Sequence, residues 1–418
     1  MNRKFKIAIA GGGAAGLMAA AAASSAGAEV ILIEKMPAAG KKLLLTGNGR
    51  CNITNISMLK PDLRKIYGEN GIFLSSSIKE LPYEKLLAFF EDNGVPLKQE
   101  KDGRIFPKSD KSSDILDMFL DILRRNRVEI LTETALKAIE TEPGKPGRVR
   151  AFITDMGAFE ASQYIIACGG KSFPATGSTG DSFLFAEQTG HRIEKLHPAL
   201  VPVKVKETWL KKLQGLTLDY VGIEVLQKGK ILFRTGGSLL FTHFGISGPE
   251  ILNLSGSISA LDPSDEITIR LNFVNQYKDQ DIKEYMGNLL ASNTKKSVLN
   301  MLKSILPERA AAISVELSGI DPGKKSAVIT KQERKALSDA LTGIKLTYNG
   351  TTGFAGAMLT GGGIDPSQLN PGTMRSGFID NLAFAGEALA IDGPTGGYNL
   401  HMCWLTGFMA GKSAAGEI

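Results

Sequence analysis

The chain has 418 residues, 43% hydrophobic and 22% charged, with three cysteines, a formal net charge of +6 and a pI near 9.0. That length predicts two or three domains, and the absence of any apolar run of about 18 residues excludes an ordinary membrane helix. Cys51, Cys168 and Cys403 are too scattered for a disulfide framework or a Cys-based metal site, so a reduced, cytoplasmic setting without a bound metal is expected. The basic residues are dispersed, clustering only as pairs such as Lys41-Lys42, Arg124-Arg125 and Lys324-Lys325. On charge this argues against a nucleic-acid partner and favours a surface that draws in small anions.

The N-terminal "MNRKFKIAIAGGGAAGLMAAAAASSAGA" imitates a secretory leader, but Gly11, Gly12 and Gly13 would break its helical apolar segment. "FKIAIA" reads instead as a buried strand of a parallel sheet. It runs into Gly11-x-Gly13-x-x-Gly16, an alanine-rich helix that stops at Gly27, and a second strand, "EVILIEK", carrying Glu34. Strand, glycine turn, helix, strand and acidic residue in this order form the dinucleotide-binding fingerprint. Gly11 permits the tight turn, Gly13 lets backbone approach a pyrophosphate, and Gly16 lets helix and strand pack closely. Glu34 would accept hydrogen bonds from the adenosine ribose. Ala14, Ala15 and Lys35 complete the expected contacts.

"KKLLLTGNGRCNITN", residues 41–55, then departs from a plain dehydrogenase pattern. An extended, glycine-hinged segment suits the edge of a flavin ring, so Lys42, Leu43, Gly49, Arg50, Cys51 and Asn52 are expected there. Arg50 would balance negative charge. Cys51 lacks a CxxC companion and reads as a small buried residue. From Pro82 to Arg127 the pattern predicts two helices flanking a hairpin. Leu136 is expected to meet adenine through its backbone. A strand over Tyr164 to Ala167 ends in Cys168-Gly169-Gly170, with Gly169 near the nucleotide.

From about 197 to 273 the sequence favours strands, and from 279 to 341 the apolar spacing becomes helical. "IKLTYNG" reads as a returning strand. Near the C-terminus a short strand, Leu382 to Ala385, is followed by Gly386-Glu387, a turn at Asp392-Gly393, and Gly396-Gly397 opening a helix from about Asn399 to Lys412. That helix N-terminus, with Tyr398 and Asn399, suits negative charge on a reduced flavin. The expected fold is α/β: a discontinuous Rossmann-like FAD-binding domain of the two-dinucleotide-fold type, with an inserted β-barrel-like domain and a small helical domain. The boundaries are 1–193 and 357–418 for the FAD domain, 194–276 and 343–356 for the β domain, and 277–342 for the helices. There is no second GxGxxG, so NAD(P)H would bind only transiently as electron donor.

The blocks "GGGAAG", "KKLLLTGNGRCNITN", "GRIFPKS", "GGKSFPATGSTGD", "HPALVPVKV", "FTHFGISGP" and "GEALAIDGPTGGYNL" span nearly the whole chain. They resemble the signature blocks of the BaiN/YhiN-like flavoprotein family, in the family's order. The resemblance implies FAD, and activities that include reduction of conjugated C=C bonds in 3-oxo bile-acid intermediates and oxidation of small amines. It departs from the family at His401, where a Gln is frequent. Hydride delivery to an enone requires an acid for the developing enolate and the α carbon. Tyr398, His401 and His243 are the candidates, although Tyr398 would equally pack on the ring and His243 would equally hold a turn. A small apolar, anionic substrate is expected. The alternatives are a flavin-dependent oxidase of a small aminoketone using O₂, and an RNA-associated flavoprotein.

Overall fold

Strand Phe5–Ala10 is apolar on both faces, apart from Lys6, and lies at the centre of a sheet. It pairs in parallel with Val30–Ile33 on one side and with Gly157–Ile166 on the other. Glu129–Leu131 extends the sheet beyond Val30–Ile33, and Leu382–Phe384 adds in parallel to the end of Gly157–Ile166. The computed structural model describes residues 5–142, 145–262, 264–275 and 282–416. The chain divides into two compact units, Met1–Pro198 with Phe354–Ile418, and Ala199–Gly353. The expected boundary at 276/277 lies outside the described residues.

In the first unit both chain ends share one core. The helix Ala14–Ser25 packs against the C-terminal helix Tyr398–Ala415 through small residues. A Cβ on Gly407 would fall 2.3 Å from the Ala15 carbonyl oxygen, and one on Gly411 would fall 2.2 Å from that of Ala19. Buried Trp404 donates to the Ile53 carbonyl at 3.1 Å and stacks on Phe119 with centroids 5.5 Å apart. Asn381 fixes the last strand: its side chain accepts from Val149 N and donates to Val149 O, both at 2.8 Å. Such paired bonds satisfy a buried amide and set register.

The hairpin of Leu97–Gln99 and Arg104–Pro107, flanked by helices Tyr83–Asp92 and Ser112–Arg125, matches the expectation from the sequence. Two features differ. Lys41–Gly49 is not extended. It begins as a helix after Gly40 in the left-handed region (φ 76°), then breaks at Thr46 (ψ 145°) and turns through Gly47 and Asn48 at φ 58° and 57°. Lys-Lys-Leu-Leu-Leu is a good helix-forming run, and the glycines sit at its ends rather than inside it. The sheet also carries an unexpected antiparallel meander, Leu136–Glu142, Lys145–Thr154 and Gly157–Ile166.

The second unit is a closed antiparallel barrel. Its strands, in order around the barrel, are Val203–Val205, Gly245–Ser247, Lys230–Phe241, Thr217–Gln227, Ile267–Asn272 and Ile344–Thr351. Closure removes exposed sheet edges. Helices Ile282–Ser292, Val298–Leu302, Glu308–Ser318 and Lys331–Thr342 bury Met286, Leu302, Ala311 and Leu337 in the same core as barrel residues Ile223 and Leu271. Within the stretch expected to be all strands, Pro249–Ala260 is a helix, started by Pro249 at its first position after Gly248 (φ 102°).

The glycine stripe generates a stability prediction. Gly411→Val places atoms against backbone that cannot swing aside, so it should destabilise the first unit by about 2–3 kcal/mol or more. Urea unfolding checks this. An unchanged midpoint would show that the two helices do not depend on close approach.

Candidate functional site

One cleft among the described residues is lined wholly by residues of the first unit, and they come from both ends of the chain. Its floor is the glycine turn. Gly11 needs its positive φ of 104°, and a Cβ there would lie 2.4 Å from the Ala167 carbonyl oxygen. Gly16 does not line the cleft. A Cβ on it would fall 1.8 Å from the Gly11 carbonyl oxygen, so its role is close packing. Gly13 has ordinary φ (−82°), and a Cβ on it would meet nothing within 4 Å.

Gly13 is the N-cap of helix Ala14–Ser25, which has no capping side chain and no acidic residue in its first turn. Its first N–H groups are therefore free to bind an anion at the cleft wall formed by Gly13, Ala14 and Ala15. Ser178 also lines the cleft, and its buried hydroxyl has no partner among the described residues. Buried polar groups without partners are uncommon. An open glycine, an uncapped helix and an orphan hydroxyl around one cleft fit a phosphate-bearing nucleotide cofactor.

The other walls are prearranged. Glu34 accepts from Gly12 N at 2.7 Å and from Met36 N at 2.8 Å, which holds the carboxylate on the wall. Lys35 pairs with Asp181 at 2.6 Å. Lys42 donates to Glu387 at 2.6 Å and to Ser172 Oγ at 2.8 Å. Glu387 also accepts from Ser172 Oγ at 2.6 Å and from Thr360 N at 3.1 Å. These bonds join both ends of the chain beside the cleft. Leu43, Leu136, Gly169, Gly386 and Asn399 also line it, as expected from the sequence. Sequence reasoning missed Ser178, Thr176, Asp181 and Thr46. The first three lie in the block "GGKSFPATGSTGD", residues 169–181, already quoted for its family resemblance.

Several expected residues lie off the lining. Arg50 pairs with Glu100 at 2.6 Å, and its guanidinium sits 4.0 Å over the Phe106 ring, because the helical turn at 41–49 carries it to the hairpin. Gly49 and Cys51 follow it away. Cys51 is buried, and burial pushes its thiol up to about 12, so it is an inert packing residue in a left-handed turn (φ 60°). Asn52 is buried with Oδ1 unpartnered. Gly397 (φ 100°) is required by backbone contact, since a Cβ would fall 2.5 Å from the Thr54 carbonyl oxygen. Gly396 (φ 124°) belongs to the same turn. Asp392 is half-buried, and burial raises its carboxyl above the usual range.

The three expected acids are dispersed. His401 is 1% exposed with Nδ1 2.7 Å from Thr54 Oγ1, and burial holds it down at about 3. Burial favours its neutral form, and it lies off the cleft lining, so the structure does not bring this expected acid to the cleft. His243 is exposed in the second unit, its ring edge-on to Phe244, and it lines no part of this cleft. Tyr398 opens the C-terminal helix with its hydroxyl 2.9 Å from Ser57 Oγ, and it too lies off the cleft lining.

The His401 environment predicts a pH effect on stability. The unfolded chain takes up this proton near pH 6.5 and the folded chain only near 3, so the contribution is complete above 6.5 and is lost as pH falls. His401→Gln should flatten the stability–pH curve by up to about 1.4 kcal/mol per pH unit between about pH 6 and 4. Parallel curves in urea titrations would contradict the assignment.

Three comparisons place the chain among known proteins. It is 33% identical over 92% of its length to the 3-dehydro-bile acid delta(4,6)-reductase of Clostridium scindens, of which 92% is covered. It is 29% identical over 87% of its length to the ribosomal RNA dihydrouridine synthase of Escherichia coli, of which 86% is covered. In fold it resembles the 3-ketosteroid delta1-dehydrogenase of Sterolibacterium denitrificans, with a TM-score of 0.54 at 14% identity, each chain covered in full. The family model described as "HI0933-like protein Rossmann domain" matches residues 5–413. As the signature blocks led one to expect, the chain belongs to the HI0933-like Rossmann-domain family.

Proposed function

We propose that the protein is an FAD-dependent reductase that saturates a C=C bond conjugated to a carbonyl group. The observation that carries this reading is the cleft itself: an uncapped helix end at an open glycine, with an unpartnered Ser178 hydroxyl in the same wall. FAD bound there would supply a two-electron hydride donor. The N–H groups of residues 13–15 would hold its diphosphate, and Glu34, already fixed by two backbone N–H groups, would take the ribose hydroxyls.

The remaining residues set electrostatics and order. The C-terminal helix has no capping side chain and no acid in its first turn, so its N-terminus favours developing negative charge. Asn399 donates to the Gly393 carbonyl at 2.9 Å and accepts from Gly393 N at 2.8 Å, fixing the turn ahead of that helix. With His401 buried, Tyr398 at the start of the C-terminal helix, its hydroxyl 2.9 Å from Ser57 Oγ, is the proposed source of the proton for the α carbon; it stands beside the lining residues Asn399 and Leu400 in the chain but does not itself line the cleft. NADH or NADPH is the proposed electron donor.

The two relatives named above support this reaction class. The first is named for reducing the delta(4,6) bonds of a 3-dehydro-bile acid. The second makes dihydrouridine, a uridine whose 5,6 bond, conjugated to the 4-carbonyl, has been saturated. A 3-oxo-Δ4,6 steroid of the bile-acid kind is the first proposed substrate, on the higher identity. A uracil ring in ribosomal RNA is the second reading, and one observation favours it. Residues 199–353 carry 20 Lys and Arg against 15 Asp and Glu, whereas the rest of the chain carries 29 against 28. The +6 charge is therefore concentrated in the inserted unit. The sequence-based case against nucleic acid rested on dispersed charge and does not stand.

Anaerobic turnover tests the proposal. FAD-loaded protein reduced by NADH or NADPH should be reoxidised by a 3-oxo-Δ4,6 steroid or by a uridine-containing ribosomal RNA fragment, with a product that has gained two hydrogens. Reoxidation by neither, together with rapid peroxide release from a small aminoketone in air, would replace the reading with amine oxidation.

A further inference from the structure

We infer that the helical part of the inserted unit carries an RNA-docking surface built from Lys295, Lys296, Lys325, Lys331, Arg334 and Lys335. The inference rests on the second substrate reading above. In sequence these residues are scattered pairs, but backbone pairing gathers them. Ser297 and Lys325 form an antiparallel bridge, Ser326 N donates to Lys296 O at 3.0 Å, and Val298 N donates to Lys324 O at 2.9 Å. Lys324 Nζ then bonds Glu333 at 2.6 Å, which brings in the first turn of helix Lys331–Thr342.

All six side chains are exposed, and none has an ion-pair partner among the described residues. Of the acidic groups in these segments, Glu333 is engaged by Lys324 and by the helix capping box, and Asp321 accepts from Gly323 N. Residues 294–297 and 321–335 hold seven basic against two acidic side chains, which equals the whole charge excess of the inserted unit.

The frame beneath is rigid. Ser297 caps one helix, Thr330 and Glu333 cap another, and Val298, Met301 and Leu337 are fully buried. A ligand with a single carboxylate needs one or two cations. Six unpaired cations on adjoining turns suit a chain of phosphates, each contact releasing a counterion. Val328 is the one large apolar side chain that is well exposed in these segments, which is too little to anchor a membrane.

Binding of a labelled ribosomal RNA hairpin to the full-length, FAD-loaded protein tests this. The wild type should bind with a log–log salt slope of about −4 to −5. The variant Lys295→Glu/Lys296→Glu/Lys325→Glu/Lys331→Glu should lose at least tenfold in affinity and show a shallower slope. It should keep the wild-type flavin spectrum, melting temperature and steroid turnover. Reversal of two exposed lysines of the other unit, Lys101→Glu/Lys108→Glu, should leave RNA binding unchanged. Equal losses in both variants, no RNA binding by the wild type, or equally tight charge-dependent binding to phosphatidylserine–phosphatidylcholine vesicles would each overturn the inference. Steroid turnover and FAD uptake on the same preparations report separately on the proposed reduction.

Discussion

The structure depends on the contact between Gly11 and Gly16. With a Cβ at Gly16 the Gly11 carbonyl would be displaced, the turn would open, and helix Ala14–Ser25 would no longer start where its free N–H groups face the cleft. The same closeness sets strand Phe5–Ala10 beside strand Gly157–Ile166, since Gly11 also lies against Ala167. One steric constraint thus fixes both the sheet and the anion-binding end of the helix.

The second requirement is that the chain ends meet. The C-terminal helix reaches the N-terminal one only because Gly407 and Gly411 face Ala15 and Ala19, and the last strand is clipped by Asn381. Lys42 and Glu387, far apart in sequence, then close the cleft from opposite ends. An insertion of the size of residues 199–353 is tolerated in such a chain because it forms a compact unit with a core of its own.

Much of this was legible in the sequence, for physical reasons. The glycine turn is readable because each glycine answers a distinct steric demand, and the strands around it because buried parallel strands are apolar throughout. Residues 41–49 misled because glycine spacing was weighed above the helix-forming Lys-Lys-Leu-Leu-Leu run, and Arg50 and Cys51 moved away from the cleft with that error. Pro249–Ala260 was hidden among strands because its buried residues, Ile251, Ser255, Gly256 and Ile258, give a weak helical period. His401 looked catalytic because a sequence cannot report burial. The basic cluster of the inserted unit was invisible because it is made by pairing between segments, and charge dispersed along a chain need not be dispersed in space.

The central claim is that the chain ends form an FAD cradle whose open side is Gly13. Titration of the protein with FAD, followed by visible absorbance, tests it most directly when wild type and Gly13→Asp are compared. Gly13 has an ordinary φ and empty space at its Cβ, so the variant should fold with an unchanged melting temperature while placing a negative charge among the N–H groups. The account predicts one FAD per wild-type chain and at least tenfold weaker uptake by the variant. A wild type that stays colourless in excess FAD, or a variant that binds FAD as tightly as the wild type, would contradict it.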